Sequence, residues 1–190
     1  MGIVLASGSP RRFELLRMIG LTDFAVIPDT SEEEMLPGLS PEQTVCAIAL
    51  RKADNVSLLC GTDDIIIAAD TLVYLDGRPF GKPGSTEAAT AMLRELSGRV
   101  HTVYTGVALL KGEVKVTASE KTDVYFREIS DREIDAYVKS VEPMDKAGAY
   151  AAQGLGSVFI ERIEGDFYNV IGLPLCRLSK MLKEINIELI

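Results

Sequence analysis

Ser7-Gly8-Ser9-Pro10-Arg11-Arg12 combines small residues with two guanidinium groups between a strand-like run and a helical pattern. A turn of that kind presents backbone N–H groups at the positive end of a helix, and arginine forks match phosphate oxygens. It reads either as an anion cradle or as a solvated turn whose arginines cover the surface. It is neither a GxxxxGKS/T phosphate loop nor a GxGxxG dinucleotide fingerprint. A second candidate is Ile65–Ala69, a hydrophobic strand expected to end in Asp70 and Thr71. A carboxylate at the C-terminal edge of an α/β sheet can hold a divalent cation or orient a water, whereas the plainer alternative is an Asp that caps the next segment. Asp70 is the leading catalytic candidate.

Glu32, Glu33 and Glu34 form a like-charge run after Asp29. Such runs are usually solvated; the functional alternative is that one of them shares a metal with Asp70, because hard cations take carboxylate oxygens. Lys52 falls on the polar side of a helix, where an ordinary solvated lysine is expected. Lys82, in Gly81-Lys82-Pro83-Gly84, sits on a stiff turn that suits either phosphate contact or plain solubility. The stretch from Lys146 to Gly154 is rich in small residues, which let a ligand approach the backbone, and Gln153 offers paired donor and acceptor groups for a base edge. A loop packed under the sheet fits the same composition. The single histidine, His101, has no nucleophile motif beside it, so a Ser-His-Asp triad is not expected.

These residues need elements to hold them. Ile3–Ala6, Phe24–Ile27, Ile65–Ala69 and Ser157–Ile163 are strand-like and alternate with amphipathic stretches, which is an α/β pattern. Ser40-Pro41-Glu42-Gln43 and Ser130-Asp131-Arg132-Glu133 are capping boxes that start helices. Ser85 or Thr86 opens another through Leu96, and Leu173–Ile185 makes a terminal one. Val103–Leu110 and Val114–Phe126, joined by Lys111-Gly112, read as a long hairpin, so the sheet is expected to be mixed.

With 190 residues the chain fits one domain, here expected to have two lobes facing a cleft, and is long enough to bury a core without staples. The formal charge of −8 repels a phosphodiester polymer, which argues against a nucleic-acid binder. Phosphate chemistry on such a chain needs a few clustered cations and a metal ion. Cys46, Cys60 and Cys176 show neither a CxxC nor a ligand spacing and read as buried free thiols of a reducing cytoplasm. With no signal-like or membrane-spanning run, the expected location is cytoplasmic, with no membrane partner.

In sequence order these blocks resemble the Maf family of nucleoside triphosphate pyrophosphatases. The blocks are Ser7 through Arg12, Glu32-Glu33, Lys52-Ala53, Ala69-Asp70-Thr71, Gly81-Lys82-Pro83, Ser97 through His101, Thr105-Gly106, Asp145 through Gln153 and Asn169 through Pro174. The resemblance implies an elongated, two-lobed α/β fold of the inosine-triphosphate-pyrophosphatase (Maf/Ham1-like) type with a mixed sheet and a central cleft. It implies hydrolysis of a nucleoside triphosphate to the monophosphate and pyrophosphate. It makes Asp70 the catalytic acid/base, with Glu33, Lys52 and Lys82 lining the same cleft and Ser7, Ser9, Arg11 and Arg12 binding substrate. Arg12, Thr71 and Gln153 are similar to the branch acting on dTTP and UTP, and unlike the 7-methyl-GTP branch.

Under that resemblance, a Mg²⁺ or Mn²⁺ held by Glu33 and Asp70 is the expected cofactor, and the partner is a small nucleoside triphosphate, ordinary or modified. A homodimer is compatible with the architecture, although no patch in the sequence requires it. The rival reading is a nucleotide-sensing regulator of cell division that binds without hydrolysing and acts through a protein partner.

Overall fold

The computed structural model describes residues 2–31 and 38–189. Its elements run β1 (Ile3–Leu5), α1 (Pro10–Met18), β2 (Ala25–Val26), α2 (Pro41–Ser57), β3 (Ile65–Leu75), β4 (Arg78–Phe80), α3 (Thr86–Leu96), β5 (Val100–Lys111), β6 (Val114–Phe126), α4 (Asp131–Val138), β7 (Ile160–Glu164), α5 (Phe167–Ile171) and α6 (Leu175–Glu184). Short 3-10 turns cover Glu142–Asp145, Ala147–Ala149 and Leu155–Phe159.

Local chemistry starts the main helices where the sequence places them. At α2 the Gln43 N–H donates to the Ser40 hydroxyl and the Ser40 N–H donates to the Gln43 amide oxygen, at 3.3 and 3.0 Å. Ser130 and Glu133 repeat the reciprocal cap at α4. Ser85 caps α3 by accepting from the Ala88 N–H. Each cap satisfies donors that the first helical turn leaves without partners, which is worth about 1 kcal/mol.

The strands form one mixed sheet in the order β2-β1-β3-β5-β6-β7, with β4 paired to β3. Strand β1 is parallel to both neighbours, with Val4 opposite Ala25 and Ile66. The pairs β3/β4 and β6/β7 are antiparallel. Strands β5 and β6 are the expected hairpin, joined by Gly112 and Glu113.

Two compact units divide the chain. The first comprises Met1–Asp70, Thr105–Glu120 and Gly172–Ile190; the second comprises Thr71–Tyr104 and Lys121–Ile171. In the first, Val4, Ala6, Ile66, Ala68 and Ala108 of the sheet meet Ala49, Ala53 and Val56 of α2. Small residues on both sides let α2 lie close to the strands. The approach is close at Gly106, where a Cβ would lie 2.3 Å from the carbonyl carbon and oxygen of Val45. In the second unit, Leu93 and Leu96 of α3, Ile134 and Tyr137 of α4, and Val73, Phe126 and Phe159 make a core rich in aromatic edges. His101 is buried in it, edge-on to Phe126, with its Nε2 2.8 Å from the Tyr150 hydroxyl.

Some expectations are corrected. Strand β3 does not end at Ala69: it continues through Asp70 to Leu75, because Leu72, Val73 and Leu75 keep feeding buried positions. Ser157 to Phe159 belong to a 3-10 turn, and β7 begins only at Ile160. That turn is held by tertiary contact, since the N–H groups of Leu155 and Gly156 donate to the Glu142 carboxylate. The terminal helix starts at Leu175, because a residue before proline, here Leu173, is pushed away from helical backbone. The cysteines are free, as expected, but not buried: Cys46 and Cys60 are half-buried and Cys176 is exposed. Among the described residues no helix is long and apolar enough to cross a membrane.

This packing leads to two expected outcomes. Gly106→Ala forces α2 away from β5 and is expected to lower unfolding stability by about 2–3 kcal/mol in urea titrations. Burial holds the His101 imidazole neutral, lowering its pKa to about 3 against a weaker upward pull from Asp123. The unfolded chain protonates it near pH 6.5 and the folded chain does not. Stability therefore falls as pH drops from about 6.5 towards 3, by up to about 1.4 kcal/mol per unit from this group. Wild-type and His101→Gln unfolding free energies, measured across that range, are expected to differ in slope; parallel curves would refute the assignment.

Candidate active site

Strand β1 ends at Leu5, and the Ala6 N–H still donates to the Ile67 carbonyl at 2.8 Å before the chain leaves the sheet. Its parallel neighbour β3 runs on past that point to Asp70. The Ser7-to-Arg12 turn and Asp70 thus both lie beyond the carboxyl end of β1, but Asp70 sits in mid-strand on β3 and not at its end as expected.

Within the turn, Pro10 takes the first helical position of α1, where its missing N–H costs nothing, and Ser9 is the N-cap residue. Ser9 makes no side-chain capping bond, while its own N–H donates to the buried Ser7 hydroxyl at 3.3 Å. Arg12 donates from Nη1 to the same hydroxyl at 3.0 Å and from Nε to the Gly172 carbonyl at 2.8 Å. The guanidinium is therefore oriented by two anchors before any ligand arrives. Arg11, next in line, is half-buried. An oriented guanidinium at a helix N-terminus is a fitting recogniser of an anionic group.

Lys52 and Asp70 form the electrostatic centre of this unit. Lys52 is not the solvated lysine expected from its helix position: it is 9% exposed, and its ammonium lies 2.7 Å from Asp70 Oδ1. Asp70 is 4% exposed, and that charge beneath α2 draws the lysine inward. The other oxygen, Asp70 Oδ2, is buried with no hydrogen-bond partner among the described residues. The positive charge of Lys52 also reaches Asp29, which receives hydrogen bonds from Ser31 and Asn55. Burial pushes the Asp29 carboxyl up, but those bonds and the lysine more than offset it and hold it below the usual range.

A carboxylate oxygen without a donor fits a cation. Among the described residues no group of three or more His, Cys, Asp or Glu side chains could form an all-protein metal cage. A single carboxylate is instead what Mg²⁺ or Mn²⁺ accepts when water and substrate phosphates complete its shell. The expected second ligand, Glu33, lies outside the described residues, as do Glu32 and Glu34.

The second unit carries the remaining candidates. Thr71, half-buried, directly follows Asp70 on β3. Lys82 is exposed on the turn after β4, and Gly81 beside it accepts a hydrogen bond from the Gly148 N–H at 3.1 Å. That bond joins the Lys82 turn to the segment that leads to Gln153, which is exposed on a turn. The Asn169-to-Pro174 block is divided: Asn169 is buried and donates to the Val103 carbonyl and the Thr122 hydroxyl, whereas Gly172 holds Arg12. Asp29 and the Gly172 carbonyl were not legible as site groups, since a lone acid before an acidic run and a backbone oxygen carry no signature.

A family model described as Maf-like protein matches residues 2–185. A Bacillus cereus protein named dTTP/UTP pyrophosphatase is 47% identical over 186 residues, which is 98% of this chain and 96% of that one. Among solved structures, a HAM1 protein from Coxiella burnetii superposes with a TM-score of 0.55 at 18% identity, covering 97% of this chain and 99% of that one. The Staphylococcus aureus Ham1 protein gives 0.53 at 16% identity, covering 97% and 100%. At such low identity these two structures bear on the fold alone, and they agree with the expected Maf/Ham1-like architecture.

Removing one partner of a buried pair strands the other charge. Lys52→Met is expected to lower stability by about 3 kcal/mol in denaturant titrations, and Lys52→Met with Asp70→Asn to recover much of that loss. Additive losses would show that the two side chains do not act as a pair.

Proposed function

The chain belongs to the Maf family, and from that membership we propose that it hydrolyses dTTP and UTP to the monophosphate and pyrophosphate. The observation that carries the reading is Asp70, a buried carboxylate with one oxygen on Lys52 and the other without a donor among the described residues. No observation favours the non-hydrolysing regulator.

The charge balance supports the need for a cation. A triphosphate brings about four negative charges. Lys52 is already matched by Asp70, so of the four cations expected to meet the phosphates only Arg11, Arg12 and Lys82 bring charge that Asp70 does not cancel. Asp70, with Glu33 as second ligand, would hold a Mg²⁺ or Mn²⁺, which would supply positive charge against the phosphates and lower the pKa of a water. Arg12, held by Ser7 and Gly172, orients the phosphate chain, with Ser9 and Arg11 alongside. Asp70 aligns the attacking water and accepts its proton as oxygen bonds to the α-phosphorus; the bond to the bridging oxygen breaks and pyrophosphate leaves. Lys52 keeps Asp70 in place throughout. Lys82 binds phosphate, and Thr71 and Gln153 contribute recognition of the nucleoside. Gln153 can donate to a 4-keto oxygen and accept from the ring N3–H, whereas cytosine presents the reverse pattern.

Purified protein incubated with a nucleotide panel and Mg²⁺ or Mn²⁺ is expected to release monophosphate and pyrophosphate from dTTP and UTP, and to lose turnover in excess chelator. Asp70→Asn is expected to lower kcat/KM by about a hundredfold or more, roughly 2.7 kcal/mol. Diphosphate and phosphate as products would contradict α-attack, and activity kept within about tenfold would exclude Asp70 as the group that activates the water.

A further inference from the structure

Gln153 lies exposed on a turn, and an exposed amide discriminates between bases only if its backbone is held. Both flanks of that turn are held by the same two side chains, which the sequence did not single out. The Tyr137 hydroxyl, reaching from α4, accepts from the Ala151 N–H at 3.0 Å and donates to Glu142 Oε1 at 2.9 Å. On the far side, Glu142 accepts from the Leu155 N–H at 3.0 Å through Oε2 and from the Gly156 N–H at 3.1 Å through Oε1. We propose that Tyr137 and Glu142 form a clamp that sets the conformation of residues 151–156 and thereby the base discrimination exercised by Gln153. This deepens the function proposed above and rests on it.

The surroundings of the pair fit a positioning device. Tyr137 is 4% exposed and its ring stands edge-on to Phe159, with centroids 5.1 Å apart. Burial, with Glu142 adding to it, pushes the phenol well above its ordinary pKa, so it remains a donor. Burial pushes the Glu142 carboxyl up, but the N–H groups of Gly156 and Leu155, the Tyr137 hydroxyl and the Lys146 charge outweigh it and hold the carboxyl below the usual range. An ionised carboxylate accepting backbone N–H groups is among the stronger anchors available to a turn.

The backbone accommodates the clamp at two costs. A Cβ on residue 154 would lie 2.2 Å from Glu142 Oε2, so glycine is the residue that lets the carboxylate pass under the turn. Val141, immediately before Glu142, adopts φ 65, a strained conformation for a β-branched residue. Lys146 further fixes the clamp by donating to the Glu142 carbonyl at 2.8 Å. Tyr137 and Glu142 act on the turn through each other and through its backbone N–H groups. They are positioning residues.

The experiment compares kcat and KM for UTP and CTP in wild type, Gln153→Ala, Tyr137→Phe, Glu142→Gln and the Gln153→Ala/Glu142→Gln double variant. Tyr137→Phe keeps the ring packed on Phe159, so one variant retains the core if Glu142→Gln folds poorly. Each clamp variant is expected to lower the UTP-over-CTP ratio of kcat/KM about tenfold, mostly through KM for UTP with kcat kept within about threefold. The double variant is expected to lose no more discrimination than Gln153→Ala alone. If Gln153→Ala abolishes discrimination and the clamp variants keep it while losing only thermal stability, Tyr137 and Glu142 are merely structural and the proposed control of base choice is overturned. If Gln153→Ala leaves the ratio unchanged, the base-reading role of Gln153 fails and the role of the clamp falls with it.

Discussion

A lysine and an aspartate placed out of water set the terms for the first unit of this protein. Burying two charges is costly, and a well-made pair roughly offsets that cost without adding much net stability. Lys52 and Asp70 are therefore poor candidates for mere scaffolding. Their pairing requires α2 to lie close to β3, and the alanines and Gly106 along that contact make the approach feasible. It also explains how β3 can carry a carboxylate in mid-strand and continue to Leu75. One oxygen is satisfied by the ammonium and the other is buried without a donor among the described residues, an arrangement that favours an incoming cation.

The Ser7-to-Arg12 turn is built by a different principle. Nothing in the Ser7-to-Arg12 segment is deeply charged or strained; its organisation comes from a hydroxyl and a distant carbonyl that fix one guanidinium in advance. The second unit repeats the strategy with other chemistry, holding a turn by a phenol and a carboxylate that accept backbone N–H groups. In both places a short polar segment is ordered by groups far along the chain. This is how a small, acidic protein can present a few oriented polar groups without a large basic surface.

Much of the fold was legible because it follows from local rules. The capping boxes at Ser40 and Ser130 start helices where two reciprocal hydrogen bonds can form, and the hairpin of β5 and β6 follows from a two-residue connection between β-rich runs. Readings failed where the deciding contact was remote. Lys52 looked solvated by helical periodicity, which does not register the aspartate eighteen residues away that draws it inward. Ser157 to Phe159 looked like the start of a strand, because Val158 and Phe159 have the right composition and the Glu142 carboxylate beneath Gly154 leaves no trace in it.

The sequence by itself determined the α/β class, the helix starts, the family to which the chain belongs and the residue types able to handle a triphosphate, since caps, periodicity and ordered motif blocks are properties of neighbouring residues. Tertiary structure alone decided which of those residues are paired and buried, that Arg12 is anchored on Gly172, and that Tyr137 and Glu142 hold the turn around Gln153. The physical reason is that desolvation and hydrogen-bond satisfaction depend on what the folded chain brings within roughly 3 Å, and composition does not encode that distance.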